Sequence, residues 1–522
     1  MVINGLCCEE ILIDAHPPRP YAGWDLISRS SYLIPLFCRC PAKPEGASAS
    51  DAVSALGTQH VEDFRFLLQF AHFSEIAPYV HRDYFKISGE ENHIHLSHKN
   101  DQQAQSEVVD IVLSYISTPL TINPKFDFNR IFDKFASQLP KANLEDHLHI
   151  YRIYFDWFET TGVDNGLLCD DAMQACASVS TAEFNKFRSA WQSVAEFHIQ
   201  IIKALTRKLR VNLKNQHLHD EYLEWIAPLL PMDFLQQLVM ILSGLEKSKV
   251  ISLLEIYSFS SDRHKHTGEG FFPPIFVTDI GYLFSPYILK TMLSPRNVLY
   301  AALKNDLKTF DNIVSSRLEP QLLRQASKIF TSFSNLRINC NLRWREGEFD
   351  LLAYSPTENA VLHIQAKAAI PPEGARMVTR AEGRVNEAIA QLVRFSSIDP
   401  SERDQIVSSI FGEKLSNVSI INCVLGWANF GSNETWEAMR SASIIPLNVT
   451  LLTLLRSRGS ALNLKSLYSD VYDLIDELVK EADPQWETSS LDLTCGTLTV
   501  PLLKINLDKL ANYRVKLGAK NF

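Results

Sequence analysis

Cysteine is scarce in this chain. Nine in 522 residues are too few for a dense disulfide framework, and they read as free, mostly buried thiols of a reducing compartment. Two close pairs, Cys7/Cys8 and Cys38/Cys40, could be read as zinc ligands, but they lack the usual CxxC spacing. Long apolar runs are missing too, and none approaches the ~20 residues that span a bilayer. Acidic Glu9 and Glu10 stand ahead of Ile11-Leu12-Ile13, where a secretory leader has a basic segment before a long apolar run. No leader is expected, and a cytoplasmic location is the default. There is no GxxxxGK[ST] loop, no GxSxG and no HExxH, which excludes an ATPase motor and the hydrolases built on the other two motifs. Internal repeats and low-complexity tracts are absent. So is a basic excess: the net charge is -9, with a pI of about 5.9. That balance does not advertise nucleic-acid binding, but it averages several domains. The stretch from about 300 to 460 is slightly positive, so the acid excess lies elsewhere.

What is present is a globular composition, 46% hydrophobic and 21% charged. The length implies roughly two to four domains. Residues 1–60 are irregular, with Pro17-Pro18, Pro20, Pro41 and Pro44 and then a small-residue linker. Residues 61–298 form a mainly α-helical region suited to sensing, binding or assembly. Its longest periodic segment, Thr181 to Val211, carries Phe184, Phe187, Trp191, Val194, Phe197 and Ile201 as one stripe, a core stripe rather than a cofactor box. Residues 299–460 read as an α/β domain with a mixed central sheet. A helix lies near 305–333. Strands follow at 337–344, 348–354 and 360–366, then a helix at 375–396, a strand at 418–426, a helix near 434–442 and a strand at 444–449. Residues 461–522 add a C-terminal helix and hairpin.

The chemistry-bearing segment is Gly347-Glu348-Phe349-Asp350-Leu351-Leu352-Ala353, followed by Val361-Leu362-His363-Ile364-Gln365-Ala366-Lys367. Ser355 to Asn359 between them is a turn by composition. A hairpin centred near Thr357 and Glu358 sets Asp350 opposite Gln365. Alternation puts Glu348 and Asp350 on one face of their strand, and Gln365 and Lys367 on one face of the partner. Burying an acid pair, an amide and an ammonium together is costly without a task. Hydrolysis of a phosphodiester uses those types. Carboxylates and an amide oxygen suit a hard divalent cation, and a lysine beside them orients water or offsets developing charge.

The segment GEFDLLAYSPTENAVLHIQAK resembles the core of the PD-(D/E)XK nuclease superfamily. It is nearest in kind to Mrr-type restriction endonucleases and archaeal Holliday-junction resolvases. The resemblance covers about 130 to 160 residues, under a third of the chain. It implies a restriction-endonuclease-like α/β domain that binds Mg2+ or Mn2+ and cuts DNA. The metal-binding aspartate carries to Asp350, and the acid-x-lysine pair to Gln365 and Lys367. The usual Glu or Asp is thus Gln365, as in the QxK branch of the Mrr type. A glutamate on the preceding helix carries to Glu319, next to Pro320. The implied metal set is Asp350, Gln365 and Glu319, with Glu348 as a further ligand. Downstream, Arg376, Arg380 and Arg384 form a helical stripe suited to phosphate oxygens. The family's helical glutamine carries to Gln391. The competing reading of the stripe is a solvated basic face paired with Glu382 and Glu387.

The spacings His93/His95, His147/His149, His217/His219 and His264/His266 mostly fall in helical or loop contexts, where they do not form ligand sets. Asp14 and His16 have no evident partner. The expectation is therefore a metal-dependent endodeoxyribonuclease, with a role in defence against foreign DNA by fold-level analogy. It has no membrane partner, and a homo-oligomer or partner protein would engage the helical region. The alternative is a catalytically inactive nuclease-fold protein that binds nucleic acid or acts as a scaffold.

Overall fold

A computed structural model describes residues 61–117, 144–161, 169–211, 228–259, 273–293, 297–299, 307–369, 375–493 and 496–518. The chain divides into two compact units, Met1–Glu75 with Thr121–Ile313, and Ile76–Leu120 with Val314–Phe522. The division differs from the sequence boundaries in two ways. Residues 76–120 belong with the C-terminal unit, and the segment from 461 onward is built into that unit rather than appended to it. Among the described residues no helix is long and apolar enough to cross a membrane.

The first unit is mainly helical, with helices at Leu144–Thr161, Asp170–Ala177, Thr181–Val211, Met232–Ser243, Lys247–Tyr257 and Pro286–Met292. All six stripe residues of Thr181–Val211 are buried. The unit also holds a small antiparallel sheet of Leu229–Leu230, Tyr282–Phe284 and Ile275–Val277. The mainly helical expectation missed it, because strands of two or three residues carry no readable period.

The second unit opens with a hairpin, β1 (Phe85–Glu90) and β2 (His93–His98), and then α1 (Asp101–Ser117). A π-helical turn over Val314–Leu318 leads into α2 (Glu319–Phe330). There follow β3 (Arg337–Trp344), β4 (Gly347–Ser355), β5 (Ala360–Ala366), α3 (Ala375–Ser396) and α4 (Pro400–Phe411). Next are β6 (Ser419–Gly426), α5 (Asn433–Ser441), β7 (Ile445–Asn448) and α6 (Val449–Arg458), and last α7 (Leu467–Ala482), β8 (Gln485–Leu493), β9 (Gly496–Lys504) and α8 (Leu507–Gly518).

The central sheet has the order β7-β6-β5-β4-β3. β3/β4 and β4/β5 are antiparallel, while β5/β6 and β6/β7 are parallel. The parallel step needs a crossover, which α3 and α4 supply. Every residue of β5 is buried, which is why its sequence is an almost unbroken apolar run. On one side Phe349, Leu352, Tyr354 and Val361 pack with Phe395 of α3 and Val407 of α4. Each such side chain contributes about 1.5–3 kcal/mol by leaving water. Ala381, Val385, Ala388, Leu392 and Phe395 are the buried apolar side chains among the described residues of α3, at the three- and four-residue spacing of an amphipathic helix. α2 packs on β4 and β5 through its own buried stripe, Leu322, Ala326 and Phe330.

A second sheet, β1-β2-β9-β8, joins residues far apart in sequence, with β9 parallel to β2 at Thr497↔His93. α7 packs against β7 and α1. These pairings make residues 76–120 and the C-terminal segment part of one unit.

Candidate active site

The expected hairpin forms. The β4–β5 ladder runs from Ser355↔Ala360 to Leu351↔Ile364, and continuing that register sets Asp350 opposite Gln365. The ladder stops one step short of that pair. On the other flank β3 pairs Cys340↔Leu351 and Leu342↔Phe349, skipping Asn341, which is left-handed at φ 55. The register is the same on both sides of that gap, so Asn341 stands opposite Asp350 without a ladder pairing. Asp350 thus falls outside both ladders. Its carboxylate Oδ2 instead accepts the main-chain N–H of Ala366 at 2.7 Å, and no described hydrogen bond engages Oδ1.

Asp350 is buried. Burial pushes its pKa up to about 6, against the opposing pull of the Ala366 N–H and Lys367, while Glu348 and Glu387 push it further up. Glu319 stands at the start of α2, half-buried. Burial raises its pKa to about 7; Asp350 and Glu387 add to the rise, and Lys367 and Arg384 oppose it. The preceding π-helical turn has a local cause. Pro320 lacks the N–H that would continue the helix, and the wider turn sets the direction in which Glu319 leaves the axis.

Lys367 lies just past β5 and is buried. Its main-chain N–H donates to the Leu425 carbonyl of β6 at 2.9 Å. Its Nζ stands 3.6 Å from Glu387 Oε2 on α3, and Arg384 Nη1 reaches the same oxygen at 3.6 Å. Glu387 therefore gathers both cations. On sequence alone it reads only as a counter-charge on a solvated face. A signal was available: Glu387 lies one helical turn after Arg384.

Gln365 is almost fully buried, at 1% exposure, and its amide is held. Nε2 donates to the Glu348 carbonyl at 2.8 Å and lies 3.3 Å from His363 Nε2. Burial drives the His363 pKa down to about 3, so the ring is neutral. It packs between Phe349 and Phe395 at 5.0 and 5.2 Å.

The expected four-ligand set is not assembled. Among the described residues no group of three His, Cys, Asp or Glu gathers as a metal cage. Glu348 does not share a buried face with Asp350. It is exposed, and its main-chain oxygen serves Gln365. What does come together is Asp350, Glu319, Lys367 and Glu387, near enough to act on one another's charges, with Lys367 paired to Glu387. Two carboxyls whose pKa values are raised by burial and by neighbouring carboxylates are short of positive charge. Hard oxygen donors in that condition fit a divalent cation in kind.

The helix stripe also differs from expectation. Arg380 and Arg384 are half-buried on α3. The side chain of Arg376 lies outside the described residues. Glu382, expected as a surface counter-charge, is buried. It ion-pairs with Arg82 at 2.5 Å and accepts from Tyr84 Oη at 2.8 Å, so it serves the fold rather than the basic face. Gln391 lines a cavity of about 240 Å³ together with Arg343, Trp344, Glu346, Gly347, Glu348 and Arg394.

His93 and His95 lie on strand β2 and are exposed, the exception that a mostly helical or loop placement left room for. His147 and His149 lie on a helix. Cys7, Cys8, Asp14, His16, Cys38, Cys40, His217, His219, His264 and His266 are outside the described residues. Against known proteins, no family model, no curated protein and no solved structure matches the chain.

Proposed function

We propose that the second unit is a metal-dependent endonuclease that hydrolyses DNA phosphodiester bonds, within a restriction-endonuclease-like domain. The observation that carries the reading is the pair of carboxylates, buried Asp350 and half-buried Glu319, whose pKa values are raised by desolvation beside the buried ammonium of Lys367. Pairs of perturbed acids beside a cation concentrate at functional sites. Asp350 and Glu319 would hold Mg2+ or Mn2+, with the Gln365 carbonyl as a neutral ligand. Bound there, the ion supplies Lewis-acid polarisation of the phosphoryl oxygen and a lower pKa for the attacking water.

The chain's own groups do the rest. Asp350 is fixed by the Ala366 N–H, so one oxygen is anchored while no described hydrogen bond engages the other. Lys367 offers an ammonium to the charge that grows on the phosphate oxygens. Glu387 holds that ammonium from behind. Arg380 and Arg384 on α3, and Arg376 earlier on the same helix, are suited to the backbone phosphates flanking the cut. A role in defence against foreign DNA follows by analogy with restriction-type nucleases.

A second reading has its own support. Gln365 replaces an acid and has its amide nitrogen committed to the Glu348 carbonyl, which suits a nuclease-like module that binds nucleic acid without cutting it. Incubation of the protein with supercoiled plasmid and manganese, with and without chelator, separates the two. Chelator-sensitive nicking supports the enzyme, and binding without nicking supports the module. The same assay on RNA tests the sugar preference.

A further inference from the structure

Beside the carboxylate site lies the cavity of about 240 Å³ lined by Trp344, Glu348, Gln391 and Arg394. We propose that it receives a single nucleobase of the substrate strand, adenine in preference to the others, turned out of the stack next to the scissile phosphate. The proposal rests on the nuclease reading for its substrate, and on the cavity for its chemistry.

Four observations carry it. The first is size. The space is smaller than the ~300–1,000 Å³ of ordinary small-molecule pockets, which suits one flat ring system rather than a whole nucleotide. The second is the wall. An indole and two guanidinium-bearing side chains, Arg343 and Arg394, border the space, and both group types stack on base faces. Trp344 is itself braced by Phe395 at 5.5 Å and Phe349 at 6.0 Å, so its ring is a rigid surface.

The third is Gln391. Its Oε1 is buried without a partner, and no described hydrogen bond engages its Nε2. A buried amide oxygen left unmade costs about 1–3 kcal/mol. The terminal torsion of a glutamine is soft, so the amide can turn to an occupant at small cost. A free amide offers one acceptor and one donor side by side. That matches the amino group and adjacent ring nitrogen of adenine, the pairing that glutamine makes most readily with a base.

The fourth is position. Glu348 lines the cavity and lies two residues before Asp350 on β4, roughly 7 Å along the strand. Its main-chain oxygen also holds Gln365. A base seated here lies next to the carboxylates, and an enzyme that takes a base from the stack reads it in such a pocket.

Saturation-transfer NMR on the full chain, with dAMP, dCMP, dGMP and dTMP in turn and no metal added, tests the pocket without requiring cleavage. The expected result is saturation of the base protons, strongest for dAMP, falling roughly tenfold in Gln391→Leu, as for loss of a hydrogen-bonding amide. Gln391→Glu, which keeps an acceptor, should retain part of the signal, and Arg394→Ala should weaken it for all four. Equal saturation by all four nucleotides, signals confined to the sugar, or a Gln391→Leu chain that is folded by circular dichroism yet unchanged would overturn the proposal. Failure of plasmid nicking alongside selective dAMP binding would sink the nuclease and leave the base pocket standing.

Discussion

Asp350 Oδ2 lies 2.7 Å from the main-chain nitrogen of Ala366, and this side-chain bond closes the β4–β5 hairpin where the main-chain ladder ends. In the proposed nuclease the residue would have two separable duties, a structural one in Oδ2 and a chemical one in its charge. Asp350→Asn keeps an acceptor for Ala366 and removes the charge. It should fold as the parent does and lose cleavage by roughly 10²-fold or more. Asp350→Ala should lose cleavage as well, and also about 1–3 kcal/mol of stability from the stranded N–H. Urea unfolding and plasmid nicking on both variants check this. An Asn variant that cuts normally removes Asp350 from the chemistry.

The raised carboxyls set a direction for pH dependence. Asp350 titrates near 6 rather than 3.8, and Glu319 near 7 rather than 4.5. Between about pH 4 and 7 the folded protein therefore binds more protons at these groups than the unfolded chain, and stability falls as pH rises through that window. Asp110, raised to about 7 by burial, acts in the same sense, so the comparison must be differential. In chelator, the melting temperature of the parent should fall more steeply from pH 5 to 8 than that of Asp350→Asn. Manganese should recover the difference at pH 8. Parallel curves for the two proteins would contradict the assigned burial of Asp350.

Gln365→Glu is the informative change at the departure from the nuclease pattern. A glutamate there sets a carboxylate against the Glu348 carbonyl, in place of the 2.8 Å amide bond, at a position only 1% exposed. In chelator the variant should be destabilised by roughly 1–3 kcal/mol. If the site takes a cation beside residue 365, manganese should restore most of that loss, measured as a melting-temperature shift larger than the parent's. Destabilisation that manganese does not touch would exclude Gln365 from the ligand set.

The hairpin, its register and the residues it brings together were legible because alternation, a polar turn and a buried apolar run agree between 347 and 367. Three things were not. The crossover helix α4 follows an Asp399-Pro400 start and a Gly412 stop, with Asp399 accepting from the Ser401 N–H at 2.8 Å and Gly412 at φ 70. Those capping signals were present, but its apolar face is weak, with Val407 its one buried residue. The membership of residues 76–120 depends on β2–β9 pairing across some four hundred residues, which no local period encodes. The role of Glu382 depends on Arg82, three hundred residues away, so helix spacing alone assigned it to the wrong partners.

Arg82 makes that last point testable. It and Tyr84 together satisfy the buried Glu382 carboxylate. Arg82→Ala leaves a nearly desolvated charge with one hydroxyl partner, and should cost about 2–4 kcal/mol after allowance for the partly exposed arginine. The double variant with Glu382→Gln should recover part of the loss. A single variant as stable as the parent would show that Glu382 finds other compensation.

Glu387 presses on both site acids and on the lysine, so its charge can be read through the others. Glu387→Gln retains an oxygen toward Lys367 and Arg384 while removing one anion from the neighbourhood of Asp350 and Glu319. A lost negative neighbour makes ionisation easier, so both carboxyls should titrate lower. The acid limb of the manganese-dependent cleavage profile should then move to lower pH, by a few tenths of a unit to about one unit, with plateau activity reduced less than tenfold. A different result has a different meaning. If activity falls a hundredfold or more across the whole range with no shift of the limb, Glu387 is itself a ligand or a proton carrier, and the site is built from three acids rather than two.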